Sequence, residues 1–242
     1  MKIIIFAGGS GRRLWPISRK KSPKQFEPII GDKSTLRLAV DRVAPVYGAE
    51  NIYISTNEAY EDMIRNHIPE LPAENVIGEP TRRDLAAAVG LAMAHLARAT
   101  PADAYDSEPV AILWGDNYMD QVDIFRRVLD GAEKLIAGGK ARILFMGETP
   151  RFANDQLGWI GLGEEQGAVN GRSYYTFKSL RYRPPRAECQ KMFAENTHVW
   201  NTGYFVTTIG FVRKPYQQQQ PNMWAGLKKI EDAIGQPDYR EI

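Results

Sequence analysis

Short, continuous runs of apolar residues recur along the first 146 positions of the chain. They occupy residues 3–7, 51–56, 110–114 and 141–146. Continuous rather than alternating apolar residues are typical of strands that are buried on both faces. The four runs therefore predict strands of one mostly parallel sheet.

Between these runs, apolar residues recur with the period of an amphipathic helix. One face consists of Leu36, Ala39, Val40 and Val43, and a longer one runs through residues 122–136. Asp84 precedes an alanine-rich stretch at residues 85–97, and aspartate is a residue type that caps helix N-termini. The alternation of strands and helices predicts an α/β, Rossmann-like fold: a mostly parallel central sheet flanked by helices, with right-handed crossovers.

After Gly147 the pattern changes to aromatic, alternating segments. These lie at residues 157–162, 174–182 and 200–206, with one short helix predicted over residues 186–195. Alternation favours strands with one solvated face, so we expect a mixed, partly antiparallel extension of the sheet. The glutamine run at residues 217–220 is interpreted as a solvated loop.

Composition and charge narrow the class. With 242 residues, the chain is long enough for one large domain or two small ones, and we expect one domain over residues 1–242. A net charge of +2 provides no overall attraction to nucleic acid or a membrane, and no run of about 18 apolar residues suggests a membrane span. The single cysteine, Cys189, cannot form an internal disulfide, which favours a reducing, cytoplasmic location. Self-association stays open.

A glycine-rich loop follows the first predicted strand, with the sequence Gly8-Gly9-Ser10-Gly11-Arg12-Arg13-Leu14. Open α/β sheets bind ligands at the carboxyl ends of their strands. The loop does not fit a dinucleotide-binding fold, because Leu14 stands where a third glycine is needed and Pro16 interrupts the following helix. It does not fit a P-loop either, because the Lys-Ser/Thr pair is missing. Six basic residues between positions 12 and 24 indicate a local phosphate partner, with a solvated surface loop as the alternative.

This loop carries a resemblance to a known family. The run from Phe6 to Arg19, which contains Leu14-Trp15-Pro16, and the following Pro23-Lys24-Gln25-Phe26 resemble the signature of sugar-1-phosphate nucleotidyltransferases. Within that family the motifs are most similar to those of mannose-1-phosphate guanylyltransferases. The resemblance implies a nucleotidyltransferase fold and an enzyme that forms an NDP-sugar and pyrophosphate from an NTP, GTP in the first place, and a sugar 1-phosphate such as mannose 1-phosphate.

The resemblance also implies roles for particular residues. Arg13 and Lys24 are expected to hold the triphosphate as catalytic residues. The residues expected to bind the nucleotide are Gly8, Gly9, Ser10, Gly11, Arg12, Glu79, Arg83 and Asp84. Asp84 and Leu85 replace the Asn and Thr that are usual in the family. A carboxylate at Glu79 suits guanine, because it can accept from both the ring N–H and the exocyclic amine, whereas the alternative is a surface glutamate before a turn proline.

Asp116 is the candidate metal ligand. It follows a buried strand in Gly115-Asp116-Asn117, which resembles the Ser-Asp-His segment of the family. Mg²⁺ is usually held by one or two carboxylates and substrate phosphates, so we expect Mg²⁺ as the cofactor. A turn aspartate that caps the next helix is the alternative.

Two glycine-containing segments resemble the sugar pocket of the family, and two departures stand beside them. Gly158 and Asn201 are the expected sugar-binding residues. Asn201 lies in Trp200-Asn201-Thr202-Gly203-Tyr204-Phe205, where the family has Trp-Asn-Ser-Gly-Met-Phe. For Trp200 and Tyr204 the alternative is a place in the core. Tyr182-Arg183-Pro184 replaces a Glu-Lys-Pro motif whose Glu contacts sugar hydroxyls. No segment like the family's second metal-binding Ser-Ile-Asp-Tyr stands before Ile242, so we expect a chain without the family's C-terminal segment. The rival hypotheses are a catalytically impaired protein that binds nucleotide or sugar nucleotide, and an enzyme completed by further chain.

Overall fold

The computed structural model describes residues 1–9, 25–28, 31–81, 83–237 and 239–241. In this part of the chain, strands and helices alternate up to Glu148 and a more antiparallel arrangement follows. The strands are β1 (Lys2–Phe6), β2 (Ile52–Asn57), β3 (Val76–Glu79), β4 (Pro109–Trp114), β5 (Ile143–Glu148), β6 (Gly158–Val169), β7 (Arg172–Tyr182) and β8 (His198–Thr208). The helices are α1 (Thr35–Tyr47), α2 (Glu61–His67), α3 (Asp84–Ala99), α4 (Val122–Ala137), α5 (Arg186–Glu195), α6 (Ile209–Gln219) and α7 (Pro221–Ala233).

The strands form one sheet in the order β3-β2-β1-β4-β8-β6-β7. The first four strands in this order are parallel, and β8 is antiparallel to β4. β6 and β5 are also antiparallel to β8. β4 and β6 pair with one edge of β8, and β5 pairs with the other edge. The predicted α/β fold with a mostly parallel centre and a mixed extension is therefore confirmed.

Alternate residues of the central strands pack into two separate cores. Ile3 and Ile5 point to one face, where α1 and α4 cover them, whereas Ile4 and Phe6 point to the other face, against α3. This two-sided burial explains why the central strands read as continuous apolar runs. A third, smaller cluster of Trp159, Cys189, Met192 and Trp200 fills the space beneath α5.

Several predictions of elements need correction. The run at residues 141–146 forms β5, which runs in the same direction as β1–β4 but is not paired with them: its partner is the antiparallel β8, and Phe145 is exposed. Asp84 does not cap α3: it is the first residue of that helix, and the side chain at the capping position, Arg83, makes no capping hydrogen bond. The glutamine run is not a loop, since α6 continues to Gln219.

In the part of the chain that the structure describes, no helix is both long and apolar enough to cross a membrane.

Candidate functional site

The site lies where the four parallel strands end. Gly8 follows β1, Glu79 is the last residue of β3, and Asp116 follows β4 within two residues. Because the carboxyl ends of parallel strands meet at one edge of a sheet, the fold brings these three predicted residues to the same edge. In the strand order, Glu79 and Asp116 stand on opposite sides of the glycine turn.

Glu79 lies against the first glycine. A Cβ atom added to Gly8 would lie 3.7 Å from Glu79 Oε1. The buried Ser55 donates its Oγ hydrogen to the same carboxylate oxygen at 3.1 Å, and Asn57 Nδ2 donates to the Glu79 carbonyl at 3.3 Å. The carboxylate is thus held in place by β2, beside the backbone of the turn.

Gln25 is a residue of the site that the sequence prediction missed. Its Nε2 donates to the carbonyl of Gly9 at 2.9 Å, and its own carbonyl accepts from the backbone N–H of Leu36 at 3.3 Å. The Oε1 atom is buried without a hydrogen-bond partner among the described residues. Such an atom costs about 1–3 kcal/mol. The only signal in the sequence was its place in the Pro23-Lys24-Gln25-Phe26 motif.

Other predicted nucleotide ligands are less closely placed or lie outside the described residues. Arg83 and Asp84 are exposed at the start of α3, where Asp84 has the unusual φ of 62°. Left-handed backbone at a non-glycine residue is costly and concentrates at functional segments. Ser10, Gly11, Arg12, Arg13 and Lys24 lie outside the described residues, and their roles stay predictions.

Asp116 presents an exposed carboxylate on a tightly packed turn. The N–H of Gly115 donates to the carbonyl of Phe6 at 3.0 Å, which ties the turn to the end of β1. A Cβ at Gly115 would lie 3.1 Å from Leu36 Cδ1, so the turn has little space for a side chain there. Among the described residues, no group of three or more His, Cys, Asp or Glu side chains is arranged so that it could hold a metal ion. One exposed carboxylate fits a Mg²⁺ ion whose other ligands are water and phosphate oxygens.

A buried polar group lies beneath this turn. Tyr204 Oη donates to the Trp114 carbonyl at 3.4 Å, and Arg42 Nη2 donates to the Asn117 carbonyl at 3.2 Å. Burial raises the pKa of the Tyr204 phenol, and the negative charge of Asp116 adds to this, whereas the charge of Arg42 and hydrogen bonding with Asn117 and Arg42 lower the pKa. The sequence prediction missed Arg42, because an arginine between apolar helix positions usually lies at the surface.

The two predicted sugar residues are direct neighbours. Gly158 pairs with Asn201 of β8 and, on its other side, with Tyr182 of β7. A Cβ at Gly158 would lie 3.3 Å from Asn201 Cβ, and Asn201 Oδ1 accepts from the N–H of Gly203 at 2.9 Å. The Asn201 amide is therefore fixed in orientation, with its NH₂ group as the remaining donor.

The aromatic residues of this region divide into core and surface. Trp200 and Tyr204 are buried, which confirms the alternative that both belong to the core. Tyr182 is 73% exposed at the position where the family signature has an acidic residue. Arg183 follows with a φ of 49° and donates from Nε to the Gln156 carbonyl at 3.3 Å.

Comparison with known proteins gives the class. The Nucleotidyl transferase family matches residues 2–238, so the chain belongs to this family. The mostly parallel sheet flanked by helices is the fold expected of a nucleotidyltransferase, as the sequence motifs predicted. Divalent metal is the usual cofactor in this family.

The relatives are consistent with one branch of that family. The chain is 27% identical to "Mannose-1-phosphate guanylyltransferase" of Escherichia coli (strain K12), over 99% of this chain and 49% of the relative. It is 28% identical to "Mannose-1-phosphate guanylyltransferase RfbM" of Salmonella typhimurium (strain LT2), over 96% of this chain and 46% of the relative. The chain thus spans about half the length of the curated relatives it matches.

A solved structure agrees with these relatives. A crystal structure described as mannose-1-phosphate geranyltransferase from Thermus thermophilus superposes with a TM-score of 0.81 and 25% sequence identity. The superposition covers 96% of this chain and 64% of that chain.

Proposed function

We propose that this chain transfers GMP from GTP to a sugar 1-phosphate, mannose 1-phosphate in the first place, releasing pyrophosphate and forming an NDP-sugar. The observation that carries the proposal is the order of groups at the strand ends, with Glu79 and Asp116 on either side of the glycine turn. Three inter-strand steps of about 4.8 Å separate β3 from β4. An extended nucleotide can place its base at one end of this row and its phosphates at the other.

Glu79 is proposed to bind the base. Ser55 occupies part of the hydrogen-bonding capacity of Oε1 and holds the carboxylate, which has several acceptor positions in total. The ring N–H and the exocyclic amine of guanine are two neighbouring donors. A carboxylate accepts both, which favours GTP over nucleotides whose bases present an acceptor at either position.

The glycine turn and the basic loop are proposed to bind the triphosphate. Gly8 and Gly9 bring the backbone close to the ligand, and Arg13 and Lys24 supply positive charge for the leaving pyrophosphate. Mg²⁺ at Asp116, when bound, would add further neutralisation of phosphate charge. Positioning and fixed charge of this kind are the main contributions that proteins make to phosphoryl-type transfer.

Gly158 and Asn201 are proposed to bind the sugar 1-phosphate. An oxygen of its phosphate forms a bond to the α-phosphorus of the NTP as the bond to pyrophosphate breaks. Phosphate monoesters have a second pKa near 6, so this oxygen is already largely ionised at neutral pH. No side-chain base is therefore needed, and the proposal gives no role to the three histidines.

One observation favours a second candidate, a protein that binds nucleotide or sugar nucleotide without turnover. Tyr182 and Asn201 pair with Gly158 from the two neighbouring strands. At the position of Tyr182, a phenol replaces the acidic acceptor of the family signature. Loss of that acceptor weakens the hold on sugar hydroxyls, which a binding protein could tolerate better than an enzyme.

A pyrophosphate-release assay with a panel of NTPs and sugar phosphates tests the proposal. We expect the highest rate with GTP and mannose 1-phosphate in the presence of Mg²⁺. Saturable GTP binding by calorimetry without pyrophosphate release from any pair would favour the second candidate. Absence of both turnover and GTP binding would contradict both.

A further inference from the structure

Two buried side chains contact the Asp116 turn from below, one on each side of the aspartate. Tyr204 of β8 donates to the carbonyl of Trp114, two residues before Asp116, and Arg42 of α1 donates to the carbonyl of Asn117, one residue after it. Both side chains come from elements far from the turn in sequence. We call this pair, Arg42 and Tyr204, the turn clasp.

Arg42 is an unusual residue in such a place. It is only 4% exposed, and it forms no salt bridge with any carboxylate among the described residues. Its Nη1 atom is buried without a hydrogen-bond partner in the same part of the chain. Burial of an unpaired cation costs several kcal/mol. A residue that only filled space would be replaced at lower cost by an apolar side chain.

Neighbouring residues fix the clasp in position. The Arg42 guanidinium lies 5.4 Å from the centre of the Phe125 ring, and the Phe125 and Tyr204 rings meet edge to face at 5.8 Å. Arg126 of α4 donates from Nε to the Arg42 carbonyl at 2.8 Å. Helices α1 and α4 therefore hold the guanidinium and the phenol as one rigid group.

We infer that the turn clasp positions Asp116 for the metal and phosphates, and that Arg42 and Tyr204 are positioning residues of the proposed reaction. This inference rests on the proposed function for its effect on metal and nucleotide, although the clasp itself is a property of the described structure. Hydrogen bonds to the carbonyls on both sides restrict the backbone of Asp116 more than either bond alone. The buried guanidinium also favours the accumulation of negative charge above it.

Asn117 and Tyr204 also stand where the family signature has His and Met. The two residues lie at the same turn, because Tyr204 donates to the Trp114 carbonyl and Arg42 donates to the Asn117 carbonyl.

The first test measures the turn without any ligand. Tyr204→Phe removes only the hydroxyl. Tyr53→Phe is the matched control, because Tyr53 is also a buried tyrosine but lies far from the Asp116 turn. Its phenol is influenced by Glu108 and Glu74, which stand at the amino ends of the strands. Hydrogen–deuterium exchange is followed in the peptide that contains residues 115–119. We expect exchange about fivefold faster in Tyr204→Phe, corresponding to one lost hydrogen bond, and unchanged exchange in Tyr53→Phe. Unchanged exchange in Tyr204→Phe would overturn the clasp, whether or not the chain is an enzyme.

The second test separates positioning from stability. Arg42→Met keeps the length of the side chain without its charge, and Arg42→Lys keeps the charge. We expect Arg42→Met and Tyr204→Phe to raise the Mg²⁺ concentration for half-maximal GTP turnover about tenfold, to lower kcat and to leave the KM for sugar phosphate unchanged, with partial recovery in Arg42→Lys.

Urea unfolding of the same variants completes this test. Suppose that a variant is less stable, but that the turnover of its folded molecules depends on Mg²⁺ as in the parent. The clasp is then merely structural, and the inference is wrong. If the parent chain shows no turnover, calorimetric titration of Mg²⁺ into the chain with GTP replaces the rate. A Mg²⁺ affinity unchanged by the variants would then overturn the positioning role.

Discussion

Glu79 is the residue on which the proposed choice of base depends. Exchange for glutamine keeps an oxygen that can accept from Ser55, so the local structure is retained, but it presents an NH₂ donor to the donors of guanine. We expect Glu79→Gln to weaken GTP binding by about 1–3 kcal/mol, measured by calorimetry.

The control for this variant is Glu74→Gln, the same exchange at an exposed carboxylate before the other end of β3. It should bind GTP like the parent. GTP binding of parental strength in Glu79→Gln would mean that guanine is bound elsewhere or is not the base.

Asp116 is the second residue with a sharp prediction. Asp116→Asn keeps the shape of the side chain and removes its charge, so we expect metal-dependent nucleotide binding to be lost and turnover to fall on the order of 10²-fold or more. Asp120→Asn, on an exposed carboxylate of the same loop, is the control and should behave like the parent. Calorimetric Mg²⁺ titrations with and without GTP measure the effect, and full activity of Asp116→Asn would remove this residue from the proposal.

Sequence reasoning predicted the exposed and strand-end residues of the site better than the buried ones. Gly8 and Asp116 could be placed together because each follows a predicted strand of one parallel group, whereas Glu79 came only from the resemblance to the family, since β3 was not predicted. Gln25 and Arg42 could not, because nothing local distinguishes a buried polar side chain from a solvated one. Their burial arises from contacts with segments far away in the chain, Gly9 for Gln25 and the turn after β4 for Arg42.

At the scale of elements, long periodic segments were predictable and the neighbours of each strand in the sheet were not. The continuous runs of β1, β2 and β4 and the apolar faces of α1 and α4 are local properties of the sequence. β5 runs in the direction of the parallel strands, but its partner is the antiparallel β8, which lies more than fifty residues later in the chain. Strand β3 has four residues and helix α2 has seven, which is too short for either to show a clear period.

Gly203 provides a prediction for β8, the strand that connects the metal and sugar regions. It has a φ of 79°, and a Cβ there would overlap Nε1 of Trp114. Gly203→Ala therefore adds steric overlap to backbone strain, whereas Gly139→Ala, at a φ of 66° with open space, adds strain alone. We expect a loss of about 1 kcal/mol in the free energy of unfolding for Gly139→Ala and about 3 kcal/mol or more for Gly203→Ala, from urea titrations. Equal losses would show that the contact with Trp114 relaxes without cost.

At the scale of the whole molecule, stability should depend on pH through the histidines. Burial lowers the pKa of His95 to about 4, although the charge of Glu61 acts in the opposite direction, and its Nε2 lies 2.8 Å from the Tyr239 hydroxyl. Burial also lowers the pKa of His67 and of His198. In each case the unfolded chain binds the proton more readily than the folded chain.

The sign of the effect follows from this difference. Between the unfolded pKa of about 6.5 and the folded pKa of about 4, the unfolded state holds more protons at His95, so stability is complete above this window and is lost as the pH falls through it. The full shift corresponds to about 3 kcal/mol. Asp41 and Asp130 have lowered pKa values, so their contribution is lost only at more acidic pH, below the usual carboxyl range.

We therefore expect the free energy of unfolding, from urea titrations between pH 7.5 and pH 4.5, to fall less steeply in His95→Gln than in the parent. His198→Gln, at a more exposed histidine, should change the slope less. A slope in His95→Gln equal to that of the parent would mean that His95 is protonated as readily in the folded chain as in the unfolded one.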